Sequence, residues 1–165
     1  MFNYQHNNIY ICILKYIGAI LCIMEINYVA ILASTAVSLV VGMLWYGPMM
    51  FGRFWLRVTG LHSRNEKEVD AFKRRVIGMY GMQILVTFLQ FYILSIFIHA
   101  TNETLSWSAV TLMLWAGFII PIHTTSVIWD NVPSGMRFNK VFVGVIYELV
   151  IMMISAYMMV HWGEL

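Results

Sequence analysis

The stretch that most limits what this chain can fold into is Ile26–Tyr46, INYVAILASTAVSLVVGMLWY, which holds no Asp, Glu, Lys, Arg or His. Wound as an α-helix rising ~1.5 Å per residue, it spans about 30 Å, the hydrocarbon thickness of a bilayer. Trp45 and Tyr46 close it with amphipathic rings that favour the headgroup level. Pro48 then stops the helix, because it lacks an N–H and restricts the residue before it. Composition agrees with a membrane solvent: 61% of the residues are hydrophobic and 11% charged, where a soluble domain carries roughly a quarter charged residues.

Three further apolar runs follow, giving expected spans at 26–46, 76–99, 108–129 and 141–160. The fold class is all-α: one integral membrane bundle of four helices over residues 26–165, with a short amphipathic helix after the first span. In that short helix Met50, Phe51, Phe54, Trp55 and Val58 recur at helical spacing while Arg53 and Arg57 lie off the stripe, the pattern of a helix lying in the membrane surface. Gly60 can close it. Ser63 and Glu66 have capping-box spacing, so the helix leading into span two starts there, supported by the Asp70–Arg74 pair. Pro121 is expected to kink span three, with Thr124, Thr125 and Ser126 near enough to serve the freed carbonyl. Asp130–Lys140, with Pro133 and Gly135, reads as a turn. Residues 1–25 read as an N-terminal extension. Its apolar part, Ile9–Met24, is short and broken by Lys15. Either the native start is Met24, or this is an extra short interfacial helix.

Charge sets orientation and excludes some partners. Arg53, Arg57, Arg64, Lys67, Lys73, Arg74 and Arg75 lie between spans one and two, and Arg137 and Lys140 between spans three and four. The positive-inside rule makes residues 47–75 and 130–140 cytoplasmic and the C-terminus external, in a cytoplasmic (inner) membrane. A net charge of +2 is too small for a nucleic-acid reader; the expected partner is the lipid bilayer. Cys12 and Cys22 have no His or Cys at metal spacing, so neither a disulfide framework nor a zinc site is implied.

The pairing of WYGPMMFGRFW after span one with WAGFIIP in span three resembles a family of small four-helix prokaryotic membrane proteins known as DUF1761. Its carriers here are Trp45, Tyr46, Pro48, Phe51, Gly52, Trp55, Trp115, Gly117, Phe118 and Pro121, with Tyr147 in the last span. The resemblance covers about Ile26 to the C-terminus. It implies the four-helix fold and a start near Met24, and it carries no catalytic residue across.

Candidate chemistry comes from helix arithmetic. Counting ~1.5 Å per residue, Glu148 lies roughly 10–14 Å from the cytoplasmic end of span four, His123 and Gln83 about 10 Å into spans three and two, and Ser38 about 12 Å into span one. Gln83, Thr87 and Gln90 share one face of span two, and His123 and Asp130 one face of span three. A charged carboxylate at that depth costs about 2.5–3.5 kcal/mol on insertion scales. Glu148 should therefore face the bundle interior, protonated or paired. The candidate intramembrane polar site is thus Glu148, His123, Gln83, Ser38, Gln90 and Asp130. As a structural layer it would simply pin helices together; as a functional one it would handle protons or cations.

Ser34, Ser38 and Gly42 recur every four residues, a stripe that lets a neighbouring helix approach closely, in this chain or in a homo-oligomer. At the other end His99, Glu103, His161 and Glu164 are a weak candidate metal cluster without HxxxH spacing; the expectation is no metal and no cofactor. No phosphate loop or nucleophile elbow is present. The sequence therefore favours a non-enzymatic packing or partner-binding subunit. A small proton- or cation-coupled carrier or channel using Glu148 and His123 is the alternative, and a membrane-embedded lipid-modifying enzyme the second alternative. No substrate is indicated.

Overall fold

A computed structural model describes residues 26–47, 49–58, 66–130 and 134–162, with side chains for all of these but 66–78. The expected extension at 1–25, Pro48, Gly60, the Ser63 cap, Pro133 and Glu164 lie outside the described residues, as do the side chains of Asp70 and Arg74. The chain forms α1 (Tyr28–Trp45), α2 (Gly52–Val58), α3 (Glu66–Thr101), α4 (Trp107–Leu114), a π-helical turn (Trp115–Ile119), α5 (Ile120–Ile128) and α6 (Ser134–His161). Four stretches are long and apolar enough to cross a bilayer: Tyr28–Trp45, Met79–Thr101, Trp107–Ile128 and Ser134–His161. This is a multi-pass, all-α membrane bundle.

Its surface is inverted relative to a soluble protein. Val29, Leu32, Val40, Met43, Leu85 and Leu89 are exposed, whereas Ser34, Thr35, Ser38, Thr87, Ser95, Thr111 and Ser155 are buried. Hydroxyls can be buried between helices because each can bond a carbonyl of its own helix: Thr35 donates to Ile31 at 2.8 Å and Thr111 to Trp107 at 2.7 Å. Small side chains in turn let backbones approach, the contact that holds helices together when lipid removes the hydrophobic drive between them.

α6 is the centre of the bundle and touches α1, α3, α4, the π turn and α5, while α3 also meets α1 and α4. The main core, built on Ala30, Ile31, Phe91, Leu94, Ile98, Val110, Ile151, Met152, Ala156 and Met159, lies at one end. Each of these residues falls in the half of its helix away from the α1–α2 elbow. At the elbow end α5 packs on α6, Val127, Val143 and Val145 are buried, and Trp115 reaches across with its indole N–H donating to the Val145 carbonyl at 2.8 Å. α3 does not close there. Residues 79–86 are all exposed, and its first buried side chain in the span is Thr87.

The elbow folds back on α1. The Phe51 N–H bonds the Trp45 carbonyl at 3.0 Å and the Gly52 N–H bonds Gly47 at 2.9 Å. A Cβ on Gly52 would sit 2.5 Å from the Gly47 oxygen, so only glycine lets α2 begin this close. Of the expected interfacial set, Phe51 packs on Trp45, Trp55 packs on Tyr46 and Phe54 is half-buried, while Met50, Arg53 and Arg57 are exposed.

Two expectations are corrected. α6 begins at Ser134, inside the segment expected to be a turn. Gly135 costs a helix only about 1 kcal/mol, and continuing the helix brings Lys140 into an ion pair with Asp130 at the end of α5. The distortion expected at Pro121 starts a turn earlier, where the Ile120 N–H reaches the Trp115 carbonyl in a π turn. Proline has no N–H and crowds the carbonyl four residues back, here Gly117, and a π turn widens the helix where that crowding falls. The nearby hydroxyls serve other groups: Thr124 donates to the Ile120 carbonyl and Ser126 to that of His123, each at 2.8 Å.

Candidate functional site

The site grows from the middle of α6. Because α6 starts early, Glu148 lies ~21 Å from its first residue at 1.5 Å per residue, near mid-helix. Gly144 sits one turn before it on the same face. That glycine is a notch for His123 of α5: a Cβ at 144 would stand 2.8 Å from the imidazole Nδ1 and 3.0 Å from Cε1. The imidazole thereby lies against α6 one turn before Glu148, on the same face. From α3, Gln90 donates its Nε2–H to Glu148 Oε2 at 2.9 Å. Helices α3 and α5 thus both meet α6 around this carboxyl, which faces the bundle as the cost of a lipid-exposed carboxylate predicts.

Tyr147, the next residue, ties α6 to α1. Its hydroxyl donates to the Ser38 carbonyl at 3.2 Å, and it stands over Gly42, where a Cβ would be 2.9 Å from the phenol oxygen. Higher up, the Ser34 hydroxyl meets the Met158 sulfur at 3.9 Å. The stripe Ser34, Ser38, Gly42 is therefore a packing face within the chain, and α6 occupies it. A homo-oligomer has to use another surface.

The remaining expected site residues divide. Gln83 lines the same cleft as Glu148 but spends its Nε2–H on Thr87, 3.2 Å away on its own helix. Ser38 is at the right depth, yet its hydroxyl donates to the Thr35 carbonyl at 2.8 Å, so it supplies backbone rather than side chain. Asp130 does not belong to the layer: it is exposed and paired with Lys140, because it lies beyond the end of α5, two turns past His123. The weak metal candidates are occupied differently. His99 Nδ1 is 2.8 Å from the Ser95 carbonyl of its own helix, and His161 packs on Tyr157 and Trp107. Among the described residues no three His, Cys, Asp or Glu side chains gather to hold a metal ion.

Beside Glu148, between α1, α2, α3 and α6, opens a cleft of about 550 Å³, the size of a small-molecule site. Its aromatic wall is what counting depths misses. Tyr46 meets Tyr147 edge-on at 5.3 Å and Trp55 at 4.9 Å, and Tyr80 of α3 faces them. The signal available in the sequence was spacing: Tyr80 and Gln83 are three apart on one helical face, and Tyr147 adjoins Glu148. Deeper in the elbow, the Trp45 indole N–H is buried without a partner among the described residues. On the opposite flank of Gln90 lies an almost wholly apolar groove of about 400 Å³ between α3 and the π turn, walled by Phe97, Phe118 and Met152; its lining suits an acyl chain.

No curated protein and no solved structure gave a match to this chain. A family model described as "Protein of unknown function (DUF1761)" matches residues 29–160, which takes in every span, the elbow and the whole cleft. The chain belongs to the DUF1761 family of unknown function.

Proposed function

We propose that this chain is a non-enzymatic membrane protein that binds a cation at Glu148 and passes it through the bilayer, a small carrier or channel. The observation that carries this is the position of the Glu148 carboxyl. One oxygen is held by Gln90, and the residue lines an open cleft rather than a sealed packing layer. A group kept only as interhelical glue gains nothing from such an opening, while an ionisable group deep in a membrane is costly and marks ion pathways. His123, against Gly144, is placed to compensate the carboxylate when the cation leaves. The basic elbow and the 130–140 connection lie on the cytoplasmic side of the inner membrane in this proposal, so the elbow end of the cleft faces that side. A bundle of four spans is narrow, and the proposal therefore includes self-association through a surface other than the α1 stripe.

The test is proton and monovalent-cation flux in proteoliposomes. Parent protein is expected to carry flux that Glu148→Gln abolishes. Parent protein giving no flux above empty vesicles, with Glu148→Leu equally stable and equally assembled, would overturn the proposal and leave a packing or partner-binding subunit.

A further inference from the structure

We infer that the cleft beside Glu148 takes an organic cation, a protonated amine or quaternary ammonium with an apolar body, seated between the Glu148 carboxylate and the rings of Tyr46, Trp55 and Tyr147. This rests on the cation-handling role proposed for Glu148 and names the class of cation. A bare metal ion is a poor fit. Hard cations take six or more oxygens at close range, and here one carboxylate serves a cleft of about 550 Å³. Of the lining hydroxyls, that of Tyr147 is already donated to Ser38. Anions are a worse fit, since no Lys or Arg is among the described lining residues.

The rings point the other way. Tyr46 is inclined 55° to Trp55 and 61° to Tyr147, at 4.9 and 5.3 Å between centroids. They form a corner of π-electron surface instead of a closed stack. A cation within about 6 Å of such faces is attracted by their quadrupoles, most strongly once desolvated. Tyr46 and Glu148 line the same cleft, so ring and carboxylate address one space. Leu39 and Met43 supply apolar wall for the body of the ligand. The exposed run 79–86 of α3 leaves the cleft open sideways, an entry suited to a molecule that partitions into lipid.

Two sources share this chemistry, a dissolved organic cation and the choline headgroup of a phospholipid. The experiment is equilibrium binding of radiolabelled tetraphenylphosphonium to protein purified in a maltoside detergent. The expected result is saturable binding, weakened at least tenfold by Glu148→Gln and about three- to tenfold by Trp55→Leu or Tyr147→Leu. Phe142→Leu, at an exposed ring outside the cleft, should bind as the parent does. Circular dichroism and gel filtration establish that each variant is folded. Competition by phosphatidylcholine, with none by phosphatidylglycerol, assigns the lipid headgroup; competition by tetraalkylammonium ions with neither lipid assigns the dissolved cation. Absence of saturable binding, or binding indifferent to both Glu148→Gln and Trp55→Leu, overturns the inference. Glu148-dependent proton flux without organic-cation binding would overturn it while leaving the proposed function standing. Binding without any flux would do the reverse.

Discussion

Gly144→Ala probes the contact that brings His123 to Glu148. A methyl at 144 would lie 2.8 Å from the imidazole Nδ1, while ordinary contact begins at 3.4 Å, so the ring has to retreat by roughly 0.6 Å. Two opposing terms decide the outcome. Alanine gains about 0.8–1 kcal/mol over glycine in a helix interior, and forcing extra volume into a packed contact costs about 1–3 kcal/mol. In the parent background the substitution should therefore be near neutral to destabilising by about 2 kcal/mol. In a His123→Ala background the obstacle is gone, and the same substitution should stabilise by about 1 kcal/mol. The difference between backgrounds, about 1–3 kcal/mol, is the ring–glycine term. It is measured by reversible unfolding in mixed micelles with increasing dodecyl sulfate. Equal effects in the two backgrounds, within about 0.5 kcal/mol, would refute the notch and with it the placement of His123 beside the carboxyl.

A second pair of glycines gives a control by contrast. Gly42→Ala puts a methyl 2.9 Å from the Tyr147 phenol oxygen, so it should break the bond to Ser38 and cost about 1–2 kcal/mol in the same unfolding assay. Gly81→Ala meets nothing within 4 Å and should be neutral or gain up to about 1 kcal/mol; equal losses at both sites would contradict the α1–α6 contact. Orientation is checked with a membrane-impermeant maleimide after Cys12 and Cys22 are replaced by serine. Arg57→Cys should react only from the cytoplasmic side and Glu103→Cys only from outside, and the reverse pattern would invert the topology.

The spans were legible in the sequence because lipid demands long uncharged helices, and Ile26–Tyr46 or the apolar run after Val76 fits nothing else of that length. The start of α6 was not. Pro133 and Gly135 are turn residues on local grounds, and only the Asp130–Lys140 pairing, a tertiary contact, favours helix from Ser134. The candidate site was half legible for a related reason. Counting residues gives height along a helix, and it sets Gln83 rather than Gln90 level with Glu148, because it starts span four at 141 where α6 begins at Ser134. It does not give the direction each helix turns toward its neighbours. Ser38 stands at the right level with its hydroxyl bonded to its own helix. Gln83 and Gln90 share a face, yet it is Gln90, about 10 Å further along at 1.5 Å per residue, that meets the carboxyl. Azimuth is decided by packing, which no single helix encodes.

The cleft lies at the end of the bundle where rings of α1, α2 and α6 gather. Away from the elbow, the helices meet over Ala30, Ser34, Ser95, Ser155 and Ala156, all buried, and backbones separated by such small groups can close. At the elbow end the same helices carry Trp45, Tyr46 and Tyr147, with Trp55 folded in from α2. α3 is exposed over residues 79–86 and buries its first side chain in the span at Thr87. The gap falls where Glu148 sits. Tyr46 and Tyr147 line it, so a cation entering the gap would meet the same Tyr147 whose hydroxyl ties α6 to α1.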